Sequence, residues 1–162
     1  MMDLGIARKV VGWSTLRERG KPTEGSRVQD PEQNAQMESL DHRAYVGGLW
    51  EEIGRLQFEF LLRQGLAPSD CLLDIARGSL RGGVHFIKCL NPGNYLGIET
   101  QRRLVELGIE KELGRAVFLK QKPEFIFSGD FVFHRFSEIP TYSIAQSLLT
   151  HLVPSTKKGC SR

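Results

Sequence analysis

Nowhere in this chain do about eighteen apolar residues run together, the length a membrane-spanning helix requires, so neither a transmembrane segment nor a membrane partner is expected. Cysteine is scarce. The three present, Cys71, Cys89 and Cys160, form no CxxC pair and are odd in number, which argues against both a disulfide framework and a metal site of zinc type. Cys71 and Cys89 lie inside apolar segments and read as small buried hydrophobes, which favours a reducing, cytoplasmic compartment. Long runs of one charge sign are missing too. With a formal net charge of +3 and no run of five or six basic residues, a nucleic-acid partner is not indicated. At the N-terminus Arg8 and Lys9 interrupt the stretch from Leu4 to Trp13, making it a poor secretory segment. Arg8, Lys9, Arg17 and Arg19 leave an organellar transit peptide open, and Asp3 and Glu18 speak against it.

What is present is the balance of a globular chain: 162 residues, 40% apolar and 25% charged, enough for one domain with an ordinary core. Between Gly20 and Glu38 only Val28, Ala35 and Met37 are apolar, too little burial to offset the entropy of ordering. Residues 1–40 are therefore read as a disordered tail that folding can spare, 41–152 as the ordered domain, and 153–162 as a second flexible tail.

Within 41–152 the pattern alternates. Leu49, Ile53, Leu56 and Phe60 have the spacing of an amphipathic helix, which Gly65 closes ahead of Pro68. Cys71 to Ile75 is a short apolar run without alternation, as in a strand buried on both faces. The glycine-rich turn from Gly78 to Gly83 follows, then a helical stretch from Val84 to Leu90 that stops at Asn91-Pro92-Gly93. Tyr95 to Ile98 predicts a second strand ending on Glu99. Thr100 is placed to cap a third helix that runs through Leu113 and closes at Gly114. Phe125 to Phe127 and Tyr142 to Ala145 predict the third and fourth strands. Helices alternating with short apolar strands indicate a parallel sheet with crossover helices.

Ligands of open parallel sheets bind beyond the carboxyl ends of the strands. That singles out Asp74, Ala76, Gly78, Glu99, Asp130 and Gln146. Glu99 stands at about the distance from Asp74 at which an acid meets ribose hydroxyls in dinucleotide folds. Asp74 discriminates further: a carboxylate beside a pyrophosphate brings like charges together, whereas a cationic amino group and a sulfonium favour an acid there. The turn also has Arg81 where G-x-G-x-x-G needs glycine, and both features disfavour a nicotinamide-dependent oxidoreductase.

The blocks Val46-Gly47-Gly48-Leu49-Trp50, Leu73-Asp74-Ile75-Ala76-Arg77-Gly78-Ser79-Leu80-Arg81-Gly82-Gly83 and Ala145-Gln146-Ser147-Leu148-Leu149-Thr150-His151-Leu152 together resemble class I S-adenosylmethionine-dependent methyltransferases. The likeness is to a bacterial-type group whose turn reads D-I-G-C-G-S-L-R-G-G, and it spans about 41–152. The resemblance implies a Rossmann-like three-layer α/β sandwich with a mainly parallel sheet, and S-adenosyl-L-methionine as cofactor. Asp74, Ala76 and Gly78 would line its methionine end, Glu99 would hold the ribose, Asp130 would reach the adenine amino group, and Gln146 would lie near the transferable methyl. The implied function is methyl transfer to an unknown acceptor. The alternative is a protein that keeps the fold for binding or interaction and has lost the chemistry.

Two departures from the family bear on this expectation. Ala76 and Arg77 stand where the family has glycine and cysteine: a Cβ at a position of close approach or positive φ costs about 1 kcal/mol or more, and Arg77 sets a cation beside a cationic ligand. Further, the family's sheet has seven strands and this one is truncated after the fourth, so either a protein partner covers the open edge or the truncated sheet is poorly stable. His151 and His134 are candidate bases, weak ones because methyl transfer relies chiefly on alignment. Arg77 and Arg81 could clamp phosphate but read better as solvated loop cations. Asp130, after Ser128-Gly129, could equally be a turn residue. Trp50, Phe58 and Phe60 read as core and as the roof of the site.

Overall fold

The computed structural model describes residues 5–6, 41–129 and 133–146. The fold is α/β: among the described residues, four parallel strands flanked by helices, the arrangement of a Rossmann-like sandwich through its fourth strand. The elements are β1 (Gly5–Ile6), α1 (His42–Tyr45), α2 (Trp50–Arg63), β2 (Leu72–Ile75), α3 (Gly83–Cys89), β3 (Tyr95–Glu99), α4 (Arg102–Gly108), α5 (Arg115–Gln121), β4 (Glu124–Phe127) and β5 (Tyr142–Ala145). A π-helical turn, Ile109–Leu113, joins α4 to α5, and a 3₁₀ turn, Phe133–Arg135, follows β4.

The strand order is β1-β5-β2-β3-β4. At the centre Leu72 aligns with Tyr95 and with Tyr142, and Ile75 with Ile98 and Ala145. β2 and β3 have neighbours on both edges and helices or aromatic residues on both faces, so their sequences are mostly apolar, with buried Asp74 and Glu99 the acidic exceptions. Of the stretch read as an N-terminal tail, the structure describes only Gly5–Ile6. They lie antiparallel along the outer edge of β5, Gly5 opposite Ala145 and Ile6 opposite Ile144.

The two sheet faces are covered differently. Leu72, Tyr95 and Ile144 point into the larger core, where Leu61 of α2, Val84, Phe86 and Ile87 of α3, and Leu113 meet them, with Val117 and Phe118 of α5 at its margin. Leu73, Leu96 and Ile98 point the other way, and there the third layer consists, among the described residues, of Phe133 and Phe136 at the 3₁₀ turn. Burying the first set follows from the period of two along each strand.

Several elements depart from the sequence expectation. α2 buries Trp50, Ile53, Gly54, Gln57 and Leu61, while Leu49 and Leu56 of the expected stripe stand exposed. The helix is rotated because its backbone rests on the glycine-rich turn: a Cβ at Gly54 would lie 2.5 Å from the Arg81 carbonyl oxygen. Its end agrees with expectation. Gly65 has φ +91°, its N–H reaches the Leu62 oxygen, and the Leu66 N–H reaches Leu61, a Schellman closure sealed by Leu61 and Leu66 in the core. Thr100 caps no helix; its hydroxyl turns back onto Glu99, and α4 starts at Arg102. Helix α5 was not anticipated from the sequence. Among the described residues no helix is long and apolar enough to cross a membrane.

Candidate cofactor pocket at the strand ends

The turn after β2 is tightly wound. Ala76 (φ +55°), Gly78 (φ +55°) and Leu80 (φ +68°) all take left-handed conformations, which cost non-glycine residues about 1–2 kcal/mol each. Leu80 is held there by complete burial in the core. Ala76, by contrast, is exposed, and its N–H is fixed to the Ile98 oxygen at 3.0 Å. The winding opens a cavity of about 460 Å³ beyond the strand ends, lined by Asp74, Ala76, Arg77, Gly78 and Gln146, with Tyr45, Val46, Gln57 and Arg81 completing the wall. Four of the residues singled out from sequence thus meet at one cavity: Asp74, Ala76, Gly78 and Gln146.

Asp74 is buried and accepts a 2.7 Å hydrogen bond from the Tyr95 hydroxyl. Burial pushes its carboxyl up to about 6, with the Tyr95 bond and the nearby Arg77 charge pulling the other way. The same burial raises the Tyr95 phenol well above its usual range. Gln146 Oε1 is buried with no donor in reach. The cavity therefore offers a carboxylate and a free carbonyl oxygen, an arrangement that suits a ligand rich in N–H or O–H donors.

Glu99 is placed differently. It does not line the cavity. Its Oε2 accepts from the Gly78 N–H at 2.8 Å, and its Oε1 from the Thr100 N–H at 2.8 Å, the Thr100 hydroxyl at 3.1 Å and the Gln101 N–H at 3.2 Å. Four donors fill the lone-pair sites of a carboxylate, so Glu99 pins the turn to the end of β3. A ribose held by Glu99 would have to exchange with these donors. Asp130 and His151 lie outside the described residues. His134 sits exposed on the 3₁₀ turn and is not part of the cavity lining.

Arg77 and Arg81 are not the solvated cations expected. Arg77 is only 6% exposed, and none of its three guanidinium nitrogens has a hydrogen-bond partner. Its guanidinium lies 4.2 Å from the centre of the Phe125 ring and 5.7 Å from that of Phe127, in the space left by Gly97, where a Cβ would come within 2.7 Å of Nη1. Burial lowers its pKa, against the pull of Tyr95, Asp74 and Glu99. Arg81 donates from Nη1 to the Val46 and Gly48 carbonyls at 3.1 and 3.0 Å, which ties residues 46–48 to the turn.

Sequence reasoning missed Tyr95, Gln57 and the 41–49 segment as parts of this site. Tyr95 had a signal available, since a hydroxyl in a buried strand needs a partner and Asp74 was the nearest polar group to offer one, and for residues 46–49 the block that carries the family likeness was another. Comparison with known proteins finds no family model, no curated protein and no solved structure that matches this chain.

Proposed function

We propose that the cavity binds S-adenosyl-L-methionine and that the chain is a methyltransferase-like protein, cytoplasmic in location, acting on an acceptor of unknown identity. The observation that carries this reading is the pair of acceptors, the Asp74 carboxylate and the unpaired Gln146 Oε1, at the carboxyl ends of parallel strands, where such folds take their ligands. A cationic α-amino group satisfies both. When bound, the cofactor supplies an electrophilic methyl group on sulfur. The chain's part is to orient it, by the Asp74 charge, by close approach of the backbone at Gly78, and by walls that exclude water.

A second reading, a binding or interaction protein that keeps this fold without the chemistry, is favoured by Arg77 and by Ala76. A buried, unpaired guanidinium beside Asp74 opposes a sulfonium, and the Ala76 Cβ occupies a left-handed position at the cavity wall. Calorimetric titration of the full chain with S-adenosylmethionine, S-adenosylhomocysteine and NAD⁺ tests both. Binding of the two adenosyl ligands without NAD⁺ supports the first reading, and detection of methyl transfer separates it from the second. Binding of NAD⁺ alone overturns it.

A further inference from the structure

We propose that residues 41–49 form a strap over the cavity, and that Glu112 is the positioning residue that holds it closed. The strap contains α1 and ends in Gly47 and Gly48, and Tyr45, Val46, Gly47 and Leu49 wall the cavity. Val46 rests directly on the turn: a Cβ at Gly78 would lie 2.9 Å from Val46 Cγ1. A ligand approaching the turn from this side meets the strap first.

The strap is fixed at two places of different character. Its hinge end is held by Arg81, through the Val46 and Gly48 carbonyls. Its α1 end is held chiefly by one carboxylate, beside longer hydrogen bonds from the Ser79 hydroxyl to the His42 carbonyl and from Gln101 Nε2 to the Tyr45 hydroxyl, both at 3.4 Å. Arg43 Nε donates to Glu112 Oε1 and Nη2 to Oε2, both at 2.7 Å, and His42 Nε2 lies 2.7 Å from Oε1. Hydrogen bonds from Arg43, ahead of that from His42, hold the Glu112 carboxyl below its usual range, while burial works against them. Glu112 lies some seventy residues away in sequence and faces α1 from the π-helical turn, whose Gly114 N–H returns to the Ile109 oxygen at 2.9 Å. Such wide turns cost regular hydrogen bonding and concentrate where a side chain must be re-aimed.

The contact is built to release. Arg43 keeps 41% of its side chain in solvent, so its share of the contact opens at little cost, while His42, 4% exposed, is the buried part of the latch. Gly47 and Gly48 have φ +93° and +63°, with nothing within 4 Å of where a Cβ would stand, so the hinge has room to turn. Arg81 keeps that hinge anchored while α1 swings. The inference holds for whichever ligand the cavity takes and does not rest on the cofactor's identity.

The test reads access to the cavity without any ligand. In the full chain carrying Cys89→Ser and Cys160→Ser, Gln57→Cys places a thiol on the cavity wall, and its modification by N-ethylmaleimide is followed by peptide mass spectrometry. Glu112→Gln keeps the shape and removes the charge, and Arg43→Met removes the other partner. Each should speed modification at position 57 roughly three- to tenfold, the scale on which charge-assisted hydrogen bonds shift an equilibrium, with hydrogen exchange in β3 unchanged. Equal rates in all three proteins, or acceleration only in step with exchange in β3, would overturn the proposal. Should Gln57→Cys fail to fold, amide exchange across residues 43–48 in the native chain and in Glu112→Gln decides the matter: faster exchange supports the strap, and equal exchange overturns it.

Discussion

Asp74 makes the site sensitive to pH near neutrality. Its carboxyl titrates at about 6 because it is buried, so a cationic ligand binds the ionised form above that pH and must displace a proton below it. Affinity for S-adenosylmethionine should be flat above pH 7 and fall about tenfold per unit below 6, as titrations at several pH values would show. For stability the sign is set by a folded value lying above the unfolded one. Asp74 contributes fully below about pH 4, and the contribution, about 3 kcal/mol, is lost as pH rises through 6. Asp74→Asn should remove that segment of the pH dependence from denaturant midpoints. Arg77 gives a second expectation. Its nitrogens are buried and unpaired, and an unsatisfied buried charge costs about 1–3 kcal/mol or more, partly returned by the Phe125 ring. Arg77→Met should therefore raise stability by about 1–2 kcal/mol in urea unfolding. Restoring Ala76→Gly with Arg77→Cys should also tighten S-adenosylmethionine by roughly ten- to a hundredfold; equal binding of both proteins would show these positions to be neutral. At this scale strand ends were the most informative places in the sequence, although Glu99, at the end of β3, pins the turn and does not line the cavity. Asp74, Ala76, Gly78 and Gln146 could be placed because a buried strand fixes what comes next. Arg77 could not, because its burial depends on Gly97 and Phe125 in strands joined to it only by folding.

Helix α2 shows how an element's sequence pattern and its packing can part company. Its apolar spacing favours a face through Leu49 and Leu56, yet both are exposed, and Gly54 and Gln57 are buried instead. Glycine in a helix interior ordinarily loses about 1 kcal/mol to alanine, so Gly54→Ala should stabilise an exposed helix. Here the opposite is expected. The new Cβ would stand 2.5 Å from the Arg81 carbonyl and 3.3 Å from His85 Nε2, forcing α2 off the turn at a cost of about 1–3 kcal/mol. Thermal melts of Gly54→Ala would give the sign directly. Strands were the more legible elements: an apolar run of four or five residues between turn residues has few other uses. Helix α5 was not legible, because none of its residues is fully buried and its amphipathic signal is correspondingly weak. The π-helical turn before it carries no local signature, since its purpose becomes visible only when Glu112 meets Arg43.

For the molecule as a whole, the sheet's outer edge matters most. The expectation from sequence was a fourth strand left open, with either a partner covering it or a poorly stable sheet. The structure sets Gly5–Ile6 along that edge, next to Ala145 and one residue from Gln146 of the cavity. A chain lacking residues 1–10 should then expose the backbone donors and acceptors of β5 and self-associate, which light scattering over a concentration series would detect. A monomer at every concentration would show that this strand has no protective role. The loss should also weaken ligand binding, because the strand that carries Gln146 would have one free edge. The position of β1 ahead of the other described strands has a consequence for biosynthesis. β5 is the last of the five strands to leave the ribosome and β1 the first, so the cover is already made and tethered nearby when the edge it protects comes into existence. Capture is then intramolecular and favoured by the high local concentration of a tethered segment, whereas a cover encoded after β5 would leave the bare edge waiting while crowded among other nascent chains. Order along the chain thus shortens the interval in which a newly made molecule could pair with a neighbour instead of with itself.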